Sequence, residues 1–179
     1  QMYFFARNAF PLAFCHFVLD GENRILAIDV DDSPWALDYK LPPLKRMTIR
    51  LEGDAVNPNH GYRAPLLVET EDSVRELNGD DPREMLETLR DRLIRHDPDL
   101  IVSDWGDSFI LPRLLQMSKK YNIPLPFNRD PARPPLFRPP DSYFSYGRVV
   151  YKTASQVLFG RWHIDRHNAF LTDDYGLEG

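Results

Sequence analysis

The stretch "DPDLIVSDWGDSFILPRLL" (97–115) decides how this chain is read. Asp97-Pro98 ends whatever precedes it, because a residue before proline is pushed out of helical geometry. Leu100 to Ser103 are then a short apolar run of the kind found in strands covered on both faces. A turn carrying Asp104 and Asp107 follows. A helix is expected from about Phe109 to Tyr121, with Pro112 confined to its first turn, since deeper in it would break the helix. Strand, acidic turn and helix raise one question. Ile110 sits where the helix gets under way, so the turn is either a catalytic acidic turn or what is left of one.

Outward from there, "DPREMLETLRDRLIRH" (81–96) is the clearest helix. Asp81 suits the N-cap, Pro82 the first helical position, and Glu84 completes a capping box. Met85, Leu86, Leu89 and Leu93 make its apolar stripe. "RMTIRLEG" (46–53) alternates as a strand, with Met47, Ile49 and Leu51 on one face and Thr48, Arg50 and Glu52 on the other. "NPNHG" (57–61) reads as a turn cluster and "PLLVET" (65–70) as a short strand. "FCHFVLDGENRILAIDV" (14–30) is two apolar runs about Asp20-Gly21-Glu22-Asn23, a hairpin signal. A loop with Pro34, Pro42 and Pro43 separates it from the rest. "NRDPARPPLFRPPD" (128–141) reads as an extended proline-rich arm. "GRVVYKTASQVLFGRWHID" (147–165) is expected to form a further hairpin. The pattern is an α/β domain with a mixed sheet and no internal repeat.

The 179 residues suffice for one domain that buries roughly 70% of its unfolded surface. A net charge of −5 rules out polyanion binding by bulk electrostatics, so any nucleic-acid contact has to come from a local patch. The lone Cys15 can close no internal disulfide. No apolar stretch approaches the roughly 20 residues of a membrane helix, and no leader pattern is visible, so a cytoplasmic protein without membrane contact is expected. The opening at Gln1 and the ending "TDDYGLEG" read as an excised segment.

Several constellations could carry chemistry. Arg50 and Glu52 project from one face of a strand, where a two-metal nuclease needs carboxylates; in isolation a solvent-facing ion pair on an edge strand is the favoured reading. His163, Asp165 and His167 alternate in "HIDRH", a pattern more often a wet strand face than a metal site. Asp29, Asp31 and Asp32 could cluster, or could cap backbone amides at a strand end. Arg129, Arg133 and Arg138, interleaved with Phe127 and Phe137, could meet phosphates and bases, or be a solvated loop. Trp105 either fills a pocket or stacks on a ligand. No Walker, GxGxxG, GxSxG or CxxC motif occurs, which leaves nucleophilic and cofactor-dependent chemistry without support.

Together these segments resemble the 3′–5′ exonuclease domain of family B DNA polymerases, with the bacterial DNA polymerase II branch the nearest likeness. "RDRLIRHDPDLIVSDWGDSFILPRLLQMSKKYNIPLPFNRD" (90–130) is similar to the family's second exonuclease motif with its flanks. "LKRMTIRLEG" (44–53) resembles the strand of the first motif, and "GRWHID" (160–165) a strand that follows. The resemblance implies a ribonuclease H-like mixed sheet flanked by helices over 44–179, cut before the third motif. Residues 1–43 would be the tail of the polymerase's N-terminal domain and its junction, contributing a β-hairpin.

Residue by residue, the resemblance places the first motif's Asp on Arg50 and its Glu on Glu52. The second motif's Asn falls on Trp105, its Phe on Phe109 and its metal-binding Asp on Ile110. The third motif would lie beyond Gly179. Asp29-Val30-Asp31 is an alternative first motif, disfavoured because the "PPLK" lead-in precedes Met47. Expected consequences are a catalytic site with no intact set of ligands, no metal in this segment, and Mg or Mn only if the site were active. Arg50 is expected to neutralise Glu52, Ile110 to add apolar bulk and Trp105 to close the gap. Implied partners are DNA, weakly through Arg129, Arg133 and Arg138, and the remaining polymerase domains. Two other readings stay open: an active nuclease using Glu52 with Asp29, Asp31 or Asp107, and an unrelated α/β interaction module.

Overall fold

Asp20 turns the chain back on itself near its start. Its Oδ1 accepts the backbone N–H groups of Glu22 and Arg24, both at 2.8 Å, and its Oδ2 the Arg24 Nε–H at 2.8 Å. This turn pairs β1 (Cys15–Leu19) with β2 (Ile25–Val30) as an antiparallel hairpin. At its far end the Asp32 carboxylate accepts the Phe14 N–H at 2.7 Å, and Asp31 pairs with His16 at 3.0 Å. Asp31 and Asp32 of "IDVDD" thus pair and cap locally. The computed structural model describes residues 6, 9–10, 12–33, 35–38, 40–53, 57–60 and 64–169. It divides into two units, Gln1–Pro43 and Leu44–Gly179; the hairpin belongs to the first.

The second unit is built on β3 (Arg46–Leu51), β4 (Leu66–Glu69), β5 (Val74–Leu77), α1 (Pro82–His96), β6 (Leu100–Ser103), α2 (Leu111–Tyr121) and β11 (Trp162–Asp165). Its sheet runs β11-β6-β3-β4-β5. β4 runs antiparallel to both β3 and β5, while β6 and β11 run parallel to β3. This is the ribonuclease H-like mixed α/β sheet that the resemblance implies.

Alternation decides the layers. Met47, Ile49 and Leu51 of β3 are buried, and with Leu66, Val68 and Ile101 they join Leu86, Leu89 and Leu93 of α1 and Leu111 and Leu114 of α2 in one core. Arg50, Leu67, Leu100 and Val102 on the other face are only half-buried. β6 is therefore fully covered on one face, not on both as its apolar run suggested. The predicted cap of α1 forms: the Asp81 side chain accepts from the N–H groups of Arg83 and Glu84. Among the described residues no helix is long and apolar enough to cross a membrane.

Between α2 and β11 the chain departs from expectation. The proline-rich arm contains β7 (Leu136–Arg138), which pairs with β10 (Ser155–Val157), and leads into β8 (Asp141–Ser145), which pairs with β9 (Arg148–Lys152). The 147–165 hairpin does not form. Tyr146 (φ 48°) and Gly147 (φ 79°) make the tight turn, so β9 folds back onto the residues before it. Gly160 (φ 80°) then releases β11 into the main sheet.

Candidate functional site

The parallel strands β6 and β11 end side by side, and the turn after β6 is held by residues from both. Residues Gly106–Ile110 form a π-helical turn that leads into α2, with Trp105 at its start in the left-handed region (φ 61°). Asp165, the last residue of β11, fixes that turn. Its carboxylate accepts the backbone N–H groups of Trp105 (3.1 Å), Asp107 (2.9 Å) and His167 (3.1 Å). Burial pushes the Asp165 carboxyl up more than the Asp107 amide lowers it, and the neighbouring Asp107 charge adds to the rise.

Asp107 points inward as well. Its Oδ1 accepts the Gln156 N–H at 2.6 Å and its Oδ2 the Asn168 side-chain amide at 2.7 Å. Burial disfavours its charge, but His163, Gln156 and Asn168 outweigh that and hold the carboxyl below its ordinary value. His163 Nδ1 lies 3.3 Å from Asp107 Oδ1 and 3.3 Å from the Gln156 carbonyl, while Nε2 lies 2.8 Å from Ser103 Oγ. Two acceptors at Nδ1 assign it the proton, leaving Nε2 to accept from the serine hydroxyl.

Ser103, His163 and Asp107 thus have the connectivity of a serine-hydrolase relay. Burial decides against it: Ser103 is 0% exposed, and a nucleophile has to reach its substrate. A Cβ placed on Gly106 would sit 1.8 Å from Ser103 Oγ, so the turn's backbone itself seals the hydroxyl. The relay braces the turn.

The positions that the resemblance assigns to the exonuclease motifs do not meet in one cleft among the described residues. The Arg50 guanidinium pairs with Glu69 on β4, Nε at 2.8 Å and a terminal nitrogen at 2.6 Å from the same oxygen. Glu69 is its partner, in place of the expected Glu52. Glu52 lies just past the end of β3, exposed, its N–H donating to the Pro65 carbonyl. Ile110 is 2% exposed and belongs to the core. It lines a cavity of about 450 Å³ together with Leu51, Leu77, Met85, Phe109 and Arg113, on the side of β3 opposite Arg50. Phe109 is half-buried against the core beneath the Arg113 guanidinium, 5.4 Å from its ring centre. Trp105 stacks on His167, ring centres 4.1 Å apart, and Asp104 binds the Arg166 guanidinium through both carboxylate oxygens.

Among the described residues no three His, Cys, Asp or Glu side chains are placed to share a metal ion. In "HIDRH", His163 and Asp165 serve the turn and His167 the tryptophan stack.

The three arginines of the proline-rich segment separate. Arg129 bridges Asp97 (3.0 Å) and Asp99 (2.8 Å) and donates to the Asp97 and Gly160 carbonyls, which makes it an internal clamp. Arg133 pairs with Asp130 at 3.2 Å and lies over Phe159. Arg138 lies exposed on β7. Sequence reading missed Gln156, Asn168 and Arg166, since only the fold brings them to a turn 49 to 62 residues earlier. The signal available was the His163-Asp165 alternation, which marks one side of β11 as polar and inward.

No family model matches the chain. Among curated proteins, a DNA polymerase of Pyrococcus glycovorans is 39% identical over 96 residues, which is 54% of this chain and 12% of that protein. DNA polymerase 1 of Pyrococcus abyssi is 40% identical over 60 residues, or 34% of this chain and 8% of that one. Among solved structures, the family B DNA polymerase from the hyperthermophilic archaeon Pyrobaculum calidifontis superposes with a TM-score of 0.57 and 21% identity, over 97% of this chain and 22% of the polymerase. The chain therefore spans a small part of the length of the proteins it matches. The fold is that of part of a family B polymerase, and the sequence likeness supports a polymerase-derived domain.

Proposed function

We propose that this chain is the exonuclease-type domain of a family B DNA polymerase that has lost proofreading chemistry and serves as a scaffold with weak nucleic-acid contact. Residues 1–43 are read as the tail of the preceding N-terminal domain. The observation that carries the proposal is Ile110: where the family's second motif needs a metal-binding aspartate, this chain has an apolar side chain that is part of the core. Arg50 reinforces it, because a guanidinium fixed on Glu69 stands where the first motif needs a carboxylate. The Glu69 carboxylate 2.6 Å away offsets most of the guanidinium's charge, so Arg50 acts by occupying the place of a ligand more than by repelling a cation. The DNA polymerase II affinity, a role in replication or repair, a cytoplasmic location and contact with the other polymerase domains belong to the same proposal.

The test is a time course on end-labelled single-stranded DNA with magnesium and with manganese. The oligonucleotide is expected to stay full length. Metal-dependent shortening that Glu52→Gln abolishes would overturn the proposal in favour of an active nuclease.

A further inference from the structure

The connection from β5 to α1 reads Leu77-Asn78-Gly79-Asp80-Asp81-Pro82, and Asn78 is the one asparagine in the chain followed by glycine. Asn78 and Gly79 are both exposed. Among the described residues no hydrogen bond holds the Asn78 side chain. A Cβ built on Gly79 would meet nothing within 4 Å, so the space beside its α-carbon is open. Three other asparagines contrast with it. Asn128 is buried and donates to the Arg133 carbonyl, with its oxygen bound by the Phe159 N–H. Asn168 is held by Asp107 and Ala154. Asn57 accepts from Asn59 and precedes a proline, which has no N–H to react.

We propose that Asn78 is a site of spontaneous covalent modification, its side-chain amide being lost by cyclisation onto the Gly79 nitrogen. The Gly79 amide gives its proton to hydroxide or another solvent base, and its nitrogen attacks Asn78 Cγ. The N–Cγ bond forms, the Cγ–Nδ2 bond breaks and ammonia leaves. Water then opens the five-membered imide at either carbonyl. Opening at the imide's bond to Cγ leaves aspartate; opening at the backbone carbonyl leaves isoaspartate, with one extra methylene in the main chain. No oxidant or reductant is required. Attack needs a main-chain geometry that glycine, lacking a Cβ, reaches with little hindrance.

The consequence is local and electrostatic. Asn78, Gly79 and Asp80 line the cavity that also holds Arg113. Modification replaces a neutral amide on that rim with a carboxylate, beside Asp80 and at the approach to α1.

The test incubates the folded protein at mildly alkaline pH and body temperature and follows the tryptic peptide 76–83. The expected result is a gain of about 1 Da at Asn78, two separable products, and methylation of one by an isoaspartate-specific methyltransferase. The folded rate should lie within about tenfold of the rate in denaturant, since Asn78 and Gly79 are exposed and space beside the glycine is open. Gly79→Ala should slow the change by at least about tenfold with an unchanged melting temperature, because its Cβ enters open space. Asn78 unchanged while the denatured protein reacts more than about tenfold faster, or a Gly79→Ala protein that reacts as fast as the parent, would overturn the proposal.

Discussion

Ile110 carries more of the argument than any other side chain, and its burial supplies a direct test. Restoring the aspartate by Ile110→Asp would place a carboxylate in the core beside Leu51 and Leu114, while Arg113, which shares the cavity, lies over the Phe109 ring. An uncompensated buried charge costs about 3–5 kcal/mol. Urea unfolding should show a loss of that size, and calorimetry with manganese should show no binding, because Arg50 stays fixed on Glu69. A variant of parental stability that takes up the metal would contradict both halves. The identity of Ile110, its place in the motif and the apolar bulk it adds were legible from sequence. Its location on the side of β3 opposite Arg50 was not, because a motif specifies which residues recur and leaves side-chain direction to the strand's register.

At the scale of elements, legibility followed local chemistry. α1 declares itself through its cap, its N1 proline and its apolar stripe, and all three are realised. β5 was missed, since Val-Arg-Glu-Leu on a sheet edge has only Leu77 buried and no visible alternation. The misjudged hairpin over 147–165 shows the same limit, for the turn at Tyr146-Gly147 fixes which neighbour a strand meets. Arg129 illustrates what sequence hides completely: a residue in a proline-rich segment that clamps the end of α1. Its hydrogen bond is the main cause holding Asp97 below the ordinary carboxylate value, and it adds to the Lys45 N–H in doing the same to Asp99. Such carboxyls stay ionised in the fold where the unfolded chain is already protonated. Their stabilisation is therefore complete above the unfolded value of 3.8 and fades as pH falls through the lower folded values. Arg129→Ala should accordingly be less stable than the parent at neutral pH, and the gap should narrow as urea melts are repeated below about pH 4. A gap that is constant across that range would show that the clamp acts through packing alone.

For the whole molecule, the fold class was accessible because strand, helix, strand, helix in this order leaves few topologies. On the proposed function, the chain's charge of −5 weighs against tight contact with DNA. Binding should be weak and should fall steeply with salt. Since Arg129 is occupied internally, the exposed Arg138 is expected to carry the contact, with Arg133 beside it. Arg138→Ala should reduce the slope of log affinity against log salt by about 1, whereas Arg129→Ala should lower stability and leave the slope unchanged. Equal effects on the slope would show that Arg129 leaves its clamp to meet phosphate. The bond from the Trp105 amide to Asp165 spans 60 residues, and that from the Asp107 amide spans 58. Hairpins close quickly, but parallel pairings wait on loop closure between distant segments. The chain can thus form β3-β4-β5, dock α1 and add β6 while the acidic turn has no template. Only when β11 arrives do these amides find their acceptor, so the turn belongs to the end of the folding reaction and the start of unfolding, and its protons should be among the first of the core sheet to exchange with solvent.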